Sequence, residues 1–231
     1  MKLLVVAALA EESRAILGDA PWERDRIGPF EALVSSTDGL GCDVVVSGIG
    51  SVASAAATST ALALRGPNDC VVSAGIGGGF GTHGVELTEL IVADEIVYVD
   101  YVHPPDDEDL GVDPTAWTPT VFPAAESFVW VVREATHARH GAVLTVTAMS
   151  DSHERQSLLA TQYPSAVAEA MEGAGVAFAA WRWNVPCGEV RTISNFVGQN
   201  FSGWETEAAL ERLKSSFVDL KESLMQKEAL S

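Results

Sequence analysis

The opening run Lys2-Leu3-Leu4-Val5-Val6-Ala7-Ala8 is apolar at consecutive rather than alternate positions, so as a strand it must be buried on both faces. A sheet meets that demand when helices cover it on both sides. The rest of the chain supplies those helices. Glu11 to Leu17 reads as the first of them, and Ala53 to Arg65 is Ala-rich and helical. Glu126 to His140 is amphipathic, and Thr206 to Glu228 carries Leu210, Leu213, Phe217, Leu220 and Leu224 at three- and four-residue steps. Between them lie short apolar runs predicted as strands: Phe30 to Ser36, Cys42 to Ser47, Cys70 to Ala74, Leu90 to Val99, Val143 to Ala148 and Val185 to Ile193. No linker-like segment divides residues 1–231, so a single α/β domain is expected over the whole length.

The formal net charge of −18 argues against nucleic acid or an anionic membrane as partner, because both would repel the chain. Cys42, Cys70 and Cys187 are odd in number and far apart, which suits free thiols in a reducing cytoplasm rather than disulfides or a zinc site. Met1 to Ala10 has the outline of a short signal peptide, but it flows directly into a helical pattern and reads better as a first strand. No apolar stretch approaches the roughly 20 residues of a membrane span. His137 and His140 would share a helix face without a converging carboxylate, and His83, His103 and His153 are isolated, so no metal is expected. No Gly-Lys-Ser/Thr follows a glycine turn and no Gly-x-Ser-x-Gly occurs, which removes an NTP-hydrolysing P-loop and a serine-hydrolase elbow. No cofactor is called for.

Chemistry-bearing residues gather where the predicted strands end. Glu11 and Glu12 follow the first strand, in the position where open α/β sheets place ligands; one is a candidate general base, and both also suit a helix N-terminus. Ala166 to Ala177 is predicted as helical, with Val167, Met171, Ala174 and Phe178 on one face and Glu169 and Glu172 to either side. Gly173 and Gly175 weaken a helix by roughly 1 kcal/mol each, which points to a close approach by something. Glu172 there is either a ligand contact or a solvated carboxylate. Gly48-Ile49-Gly50-Ser51-Val52-Ala53 matches a G-x-G-x-x-A dinucleotide fingerprint with Asp69 as its ribose carboxylate, which keeps a nucleotide-binding module as a non-enzymatic alternative. Gly75 to Gly81 is predicted as a second glycine turn whose peptide N–H groups can approach a ligand. Met149 to Ser152 and Ser194-Asn195-Phe196 come off two further strand ends. His103 to Pro123 is one long irregular segment, expected to be a lid, an interface arm or disordered.

Five pieces in this order, Ala8-Leu9-Ala10-Glu11-Glu12, Ser47-Gly48-Ile49-Gly50, Ser73-Ala74-Gly75-Ile76-Gly77-Gly78, Ala170-Met171-Glu172 and Arg191-Thr192-Ile193-Ser194-Asn195, resemble the purine nucleoside phosphorylase and nucleosidase superfamily over nearly the whole chain. They are most similar to its methylthioadenosine/S-adenosylhomocysteine nucleosidase branch, and the ending Arg-Thr-Ile-Ser-Asn-Phe-Val-Gly with Trp204 beyond it resembles the futalosine-hydrolysing members. The resemblance implies a three-layer α/β/α sandwich around a mixed, largely parallel twisted sheet. It also implies a homodimer or larger homo-oligomer in which a neighbour's loop completes the pocket. It places Glu12 and Asn195 in catalysis, Glu12 as the carboxylate that activates water. Glu172 is placed on the ribose hydroxyls, Met171 against the sugar, and Met149 and Ser150 on the purine, with backbone contacts to its edge. Ile49, Ile76, Gly77, Gly78, Ser194 and Arg191 fall around the substrate, Ile76 replacing a Ser of the adenine-specific nucleosidases and Asn195 an Asp.

The chemistry can be argued from the residues as well. Breaking an N-glycosidic bond builds positive charge on the ribose and negative charge on the departing base, and two carboxylates near the sugar favour that cation. An adenine edge presents N7 as acceptor and the 6-amino group as donor, whereas a 6-oxopurine presents acceptors at N7 and O6, which the two N–H donors of Asn195 match. The glycine turns carry no arginines to bind phosphate, which favours water as nucleophile. These residues favour hydrolysis of a 6-oxopurine nucleoside, and the resemblance implies which one: a nucleoside with a bulky 5′ substituent, futalosine above all. A methylthioadenosine-type nucleosidase and a phosphate-using phosphorylase are the alternatives. Gly198-Gln199-Asn200-Phe201-Ser202 lacks the basic residues the futalosine-hydrolysing members would be expected to carry there.

Overall fold

A computed structural model describes residues 2–19, 21–37, 40–66, 68–101 and 118–229. Along the described chain come β1 (Lys2–Ala7), α1 (Ala10–Leu17), β2 (Glu23–Ile27), β3 (Phe30–Thr37), β4 (Leu40–Val46), α2 (Ser51–Arg65), β5 (Cys70–Gly79) and β6 (Leu90–Tyr98). They are followed by β7 (Val121–Pro123), α3 (Glu126–Thr136), β8 (Arg139–Thr145), α4 (His153–Gln162), β9 (Ala166–Ala170), α5 (Gly173–Trp183), β10 (Cys187–Phe196) and α6 (Thr206–Ala229).

β5 is the hub of the sheet. It runs parallel to β1 and β10 and meets β9 antiparallel over Gly78↔Glu169 and Gly79↔Ala168. β10 also pairs with β6, and β6, β8 and β9 run parallel in that order, so the path β5-β10-β6-β8-β9 returns to β5 and closes a ring. On the other side of β5 the sheet stays open as β1-β4-β3-β2, parallel at β1–β4 and antiparallel beyond.

Consecutive apolar residues of β1 serve both faces, as the sequence demanded. Leu3, Val5 and Ala7 pack in one core with Ile16 of α1, Phe128 of α3, and Leu213, Phe217 and Leu220 of α6. Leu4 and Val6 pack in another with Ala57 and Ala61 of α2 and Ala174, Val176 and Ala177 of α5. Each Val, Leu, Ile or Phe side chain among these, fully buried, contributes about 1.5–3 kcal/mol of transfer free energy. The three layers and the mixed sheet are those expected.

Several local predictions are corrected. Ala166 to Ala177 is not one helix: β9 occupies Ala166–Ala170, Met171 and Glu172 form a bend, and α5 begins at Gly173. All five residues of β9 are buried and all but Val167 pair with β8, and that packing overrides the helix propensity of alanine. Gly75 to Gly79 is strand rather than turn, because β5 continues through them. Their missing side chains let ring strands approach: a Cβ on Gly77 would lie 2.9 Å from the Glu169 carbonyl oxygen, and one on Gly79 2.8 Å from Ile193 Cγ2. α3 stops at Thr136 because His137 turns left-handed at φ 56°, so His137 and His140 share no helix face; His140 lies in β8 and its Nδ1 is 2.6 Å from Asp94 Oδ2. β2 escaped prediction since Glu-Arg-Asp-Arg-Ile is mostly charged and exposed, the habit of a protected edge strand. The irregular segment predicted from His103 lies outside the described residues as far as residue 117. Among the described residues no helix is long and apolar enough to cross a membrane.

Candidate active site

The ends of β1, β4, β8 and β9, the glycine half of β5 and the end of β10 enclose a cavity of about 470 Å³. That volume suits a small-molecule site. Glu12, Ile49, Ile76, Gly77, Gly78, Met149, Ser150, Met171, Glu172, Ser194 and Asn195 all line it. Arg191, expected around the substrate, does not; it lies buried behind the wall.

One end of the cavity is a buried ion cluster. Glu12 sits in the first turn of α1, where its Oε2 accepts the Leu9 N–H at 3.0 Å and its Oε1 accepts the Ile76 N–H at 2.9 Å. A Cβ on Gly75 would stand 2.3 Å from Glu12 Oε1, so glycine is what allows this carboxylate in. Glu172, at the bend after β9, accepts the Gly50 N–H at 3.1 Å and faces Arg191 Nη1 at 3.3 Å. The bend is pinned from α2: Ser51 Oγ donates to the Met171 carbonyl and Ser54 Oγ to that of Glu172. Arg191 Nε donates to Glu189 Oε1 at 2.9 Å and Nη2 to Ser73 Oγ at 2.7 Å. Three buried carboxylates therefore surround one guanidinium.

Burial raises the Glu12 carboxyl, Arg191 and the two peptide N–H groups pull it back, and Glu172 pushes it up again, leaving it above the ordinary carboxylate value. Glu189 is raised for the same first reason, against Arg191, and its Oε2 has no hydrogen-bond partner among the described residues. Burial would lower Arg191, but Glu189, Glu172 and Glu12 outweigh it and hold the guanidinium charged. The glycines after Glu172 now have a cause. A Cβ on Gly173 would lie 2.2 Å from Glu189 Oε2, and one on Gly175 2.1 Å from the Ser51 carbonyl oxygen of α2.

The other end is held by neutral donors. Asn195 Oδ1 lies 2.8 Å from Ser194 Oγ, and its Nδ2 donates to the Phe196 carbonyl at 3.2 Å. One of the two amide N–H donors is thus engaged within the protein and one is left for a ligand, fewer than the two expected. Glu169 of β9, not predicted as a site residue, also lines the cavity and accepts both the N–H and the hydroxyl of Ser150, at 2.8 and 2.7 Å. The Ser150 N–H is therefore unavailable for the purine-edge contact expected of it.

The dinucleotide reading does not survive. Asp69 binds the Lys2 N–H at the starting ends of β1 and β5, far along the strands from the cavity, and the Gly50 N–H serves Glu172. Among the described residues no group of three or more potential metal ligands converges.

The phosphorylase superfamily model matches residues 2–222. The chain is 40% identical to a futalosine hydrolase of Streptomyces coelicolor, over 92% of each chain. It is 36% identical to a futalosine hydrolase of Acidothermus cellulolyticus, over 95% of this chain and 90% of that one. The solved structure of a futalosine hydrolase of Helicobacter pylori superposes with a TM-score of 0.81 over 98% of both chains at 24% identity, which establishes the shared fold.

Proposed function

Because the chain belongs to the phosphorylase superfamily, we propose that it is an N-glycosyl hydrolase that cleaves the 6-oxopurine nucleoside futalosine to hypoxanthine and dehypoxanthine futalosine. The observation that carries this reading is one cavity with Glu12 and Glu172 over a buried arginine at one end and the Asn195 amide at the other. Glu12 takes a proton from water as the water oxygen bonds to C1′ and the bond from C1′ to N9 breaks. Glu172 accepts the ribose hydroxyls and stabilises the cation that develops. The free Asn195 N–H receives the charge arriving on the N7 and O6 edge, and the proton reaches the base through water, since an amide cannot supply it.

Water is favoured over phosphate because, among the described residues, no Arg or Lys lines the cavity; Arg191 is committed to carboxylates, and Arg14 pairs with Glu11 on the surface. We infer a place in menaquinone biosynthesis from the resemblance to the futalosine-hydrolysing members, and in the cytoplasm from the free thiols of Cys42, Cys70 and Cys187. Ile49 on the cavity wall and Val52 in the first turn of α2 stand 59% and 86% exposed, and a second copy of the chain covering them is the assembly we infer. Sedimentation at micromolar concentration tests this: a dimer or larger is expected, and a monomer would remove it. For the activity, the protein is incubated with futalosine with and without phosphate and free base is followed by chromatography. Hypoxanthine released equally in both is expected, and release that requires phosphate would overturn hydrolysis.

A further inference from the structure

We propose that Glu169 reads the N1–H of the purine and thereby excludes 6-aminopurines from the site; this rests on the 6-oxopurine assignment above. Gly78 of β5 stands in register with Glu169 on β9 and with Asn195 on β10. A Cβ built on Gly78 would lie 3.2 Å from Asn195 Nδ2 and 3.7 Å from Glu169 Cγ. Both side chains therefore project on the same side of the sheet and flank a floor that carries no side chain. Both line the cavity and both are buried.

Their hydrogen bonds fix what each offers a ligand. Ser150 gives its N–H and its hydroxyl to the two Glu169 oxygens, and its own carbonyl accepts the Gly198 N–H at 2.8 Å. The carboxylate is thus tethered at both oxygens, yet each oxygen keeps a lone pair. The backbone donor of Ser150 is consumed, so at this point the wall presents an acceptor. Asn195, oriented by Ser194, presents a donor.

Acceptor beside donor is the complement of a 6-oxopurine edge, which runs N1–H, O6, N7. A 6-aminopurine presents the reverse, with the N1 lone pair towards the carboxylate and an amino hydrogen towards the amide N–H. Mismatched buried polar pairs of this kind discriminate by orders of magnitude. Glu169 is a specificity residue in this account, and the bond-breaking step at the sugar does not use it.

The test compares kcat/KM for futalosine and its 6-amino counterpart in the natural protein and in Glu169→Gln. A glutamine can turn either an acceptor or a donor to N1, so the preference for the 6-oxo substrate should fall by about tenfold or more. An unchanged ratio, with both substrates slowed alike, would reduce Glu169 to a tether for Ser150 and overturn the proposal while leaving the base assignment intact. Preference of the natural protein for the 6-amino substrate would overturn the base assignment itself, and the proposal with it. A second measurement avoids mutation: hypoxanthine should bind the natural protein by calorimetry and 1-methylhypoxanthine, which lacks the N1–H, should bind at least tenfold more weakly. Equal binding of the two would contradict the proposal.

Discussion

The two ends of the cavity are made by opposite means. At the end proposed for the sugar, Glu12, Glu172 and Glu189 crowd one buried Arg191, so charge balances charge away from water. At the end proposed for the base one carboxylate and one amide are positioned by two serine hydroxyls, a serine N–H and a backbone carbonyl. The first arrangement is costly to bury and matches a cation that forms only as the bond breaks. The second is cheaper and matches a pattern of donors and acceptors already present in the ground state. Rate should therefore depend on the sugar end and identity of the base on the other.

The largest effect expected is on stability. Arg191→Met leaves Glu189 and Glu172 buried without their counter-charge, a loss of about 3–5 kcal/mol for a broken buried pair. Denaturant unfolding measures it, and natural stability in the variant would mean that the sugar end is not held by ion pairing. Next come Glu172→Gln and Glu12→Gln, each expected to lower kcat by roughly 10² or more. Near-normal turnover in either would show that the carboxylate does not act on the sugar or the water.

The Glu12 shift sets an acid limb. The base must be ionised, so kcat/KM should rise with pH through an apparent pKa above the ordinary carboxylate value and then level off, and Glu12→Gln should lose that limb. The sign for stability is the reverse. A carboxyl raised on folding binds its proton more tightly in the folded state, so its contribution is greatest below the unfolded pKa and is lost as pH rises through the folded one. A limb at the ordinary carboxylate value would place Glu12 in solvent. The smallest effect is expected from Asn195→Asp, which should move preference several-fold towards 6-aminopurines, since a protonated Asp supplies donor and acceptor together. Unchanged selectivity would leave base recognition to Glu169 alone.

The sugar end was largely legible from sequence and the base end only in part. β1 declares itself as an unbroken apolar run and α6 through its periodicity, and the place after β1 offers Glu11 and Glu12, between which the resemblance chose Glu12. Glu172 lines the cavity, but the sequence put it on the wrong local structure, because Ala-Val-Ala-Glu-Ala carries no length or aromatic signal to separate a buried strand from a helix. Read with a period of two, the same stretch puts Val167, Glu169 and Met171 on one face, which would have brought Glu169 to the site. Arg191 was placed on the ligand because its motif is, yet its register opposite Gly75 sends it behind the wall among Glu189 and Ser73. The clashes that require Gly75, Gly173 and Gly175 arise between distant segments, which a turn-based reading of glycine cannot see.

The division of labour is tested most directly by kcat/KM for futalosine and its 6-amino counterpart, measured in parallel on Glu172→Gln and Asn195→Asp. Glu172→Gln should slow both substrates by the same factor and keep their ratio, while Asn195→Asp should change the ratio. A Glu172→Gln variant that alters base preference, together with an Asn195→Asp variant that does not, would contradict the account.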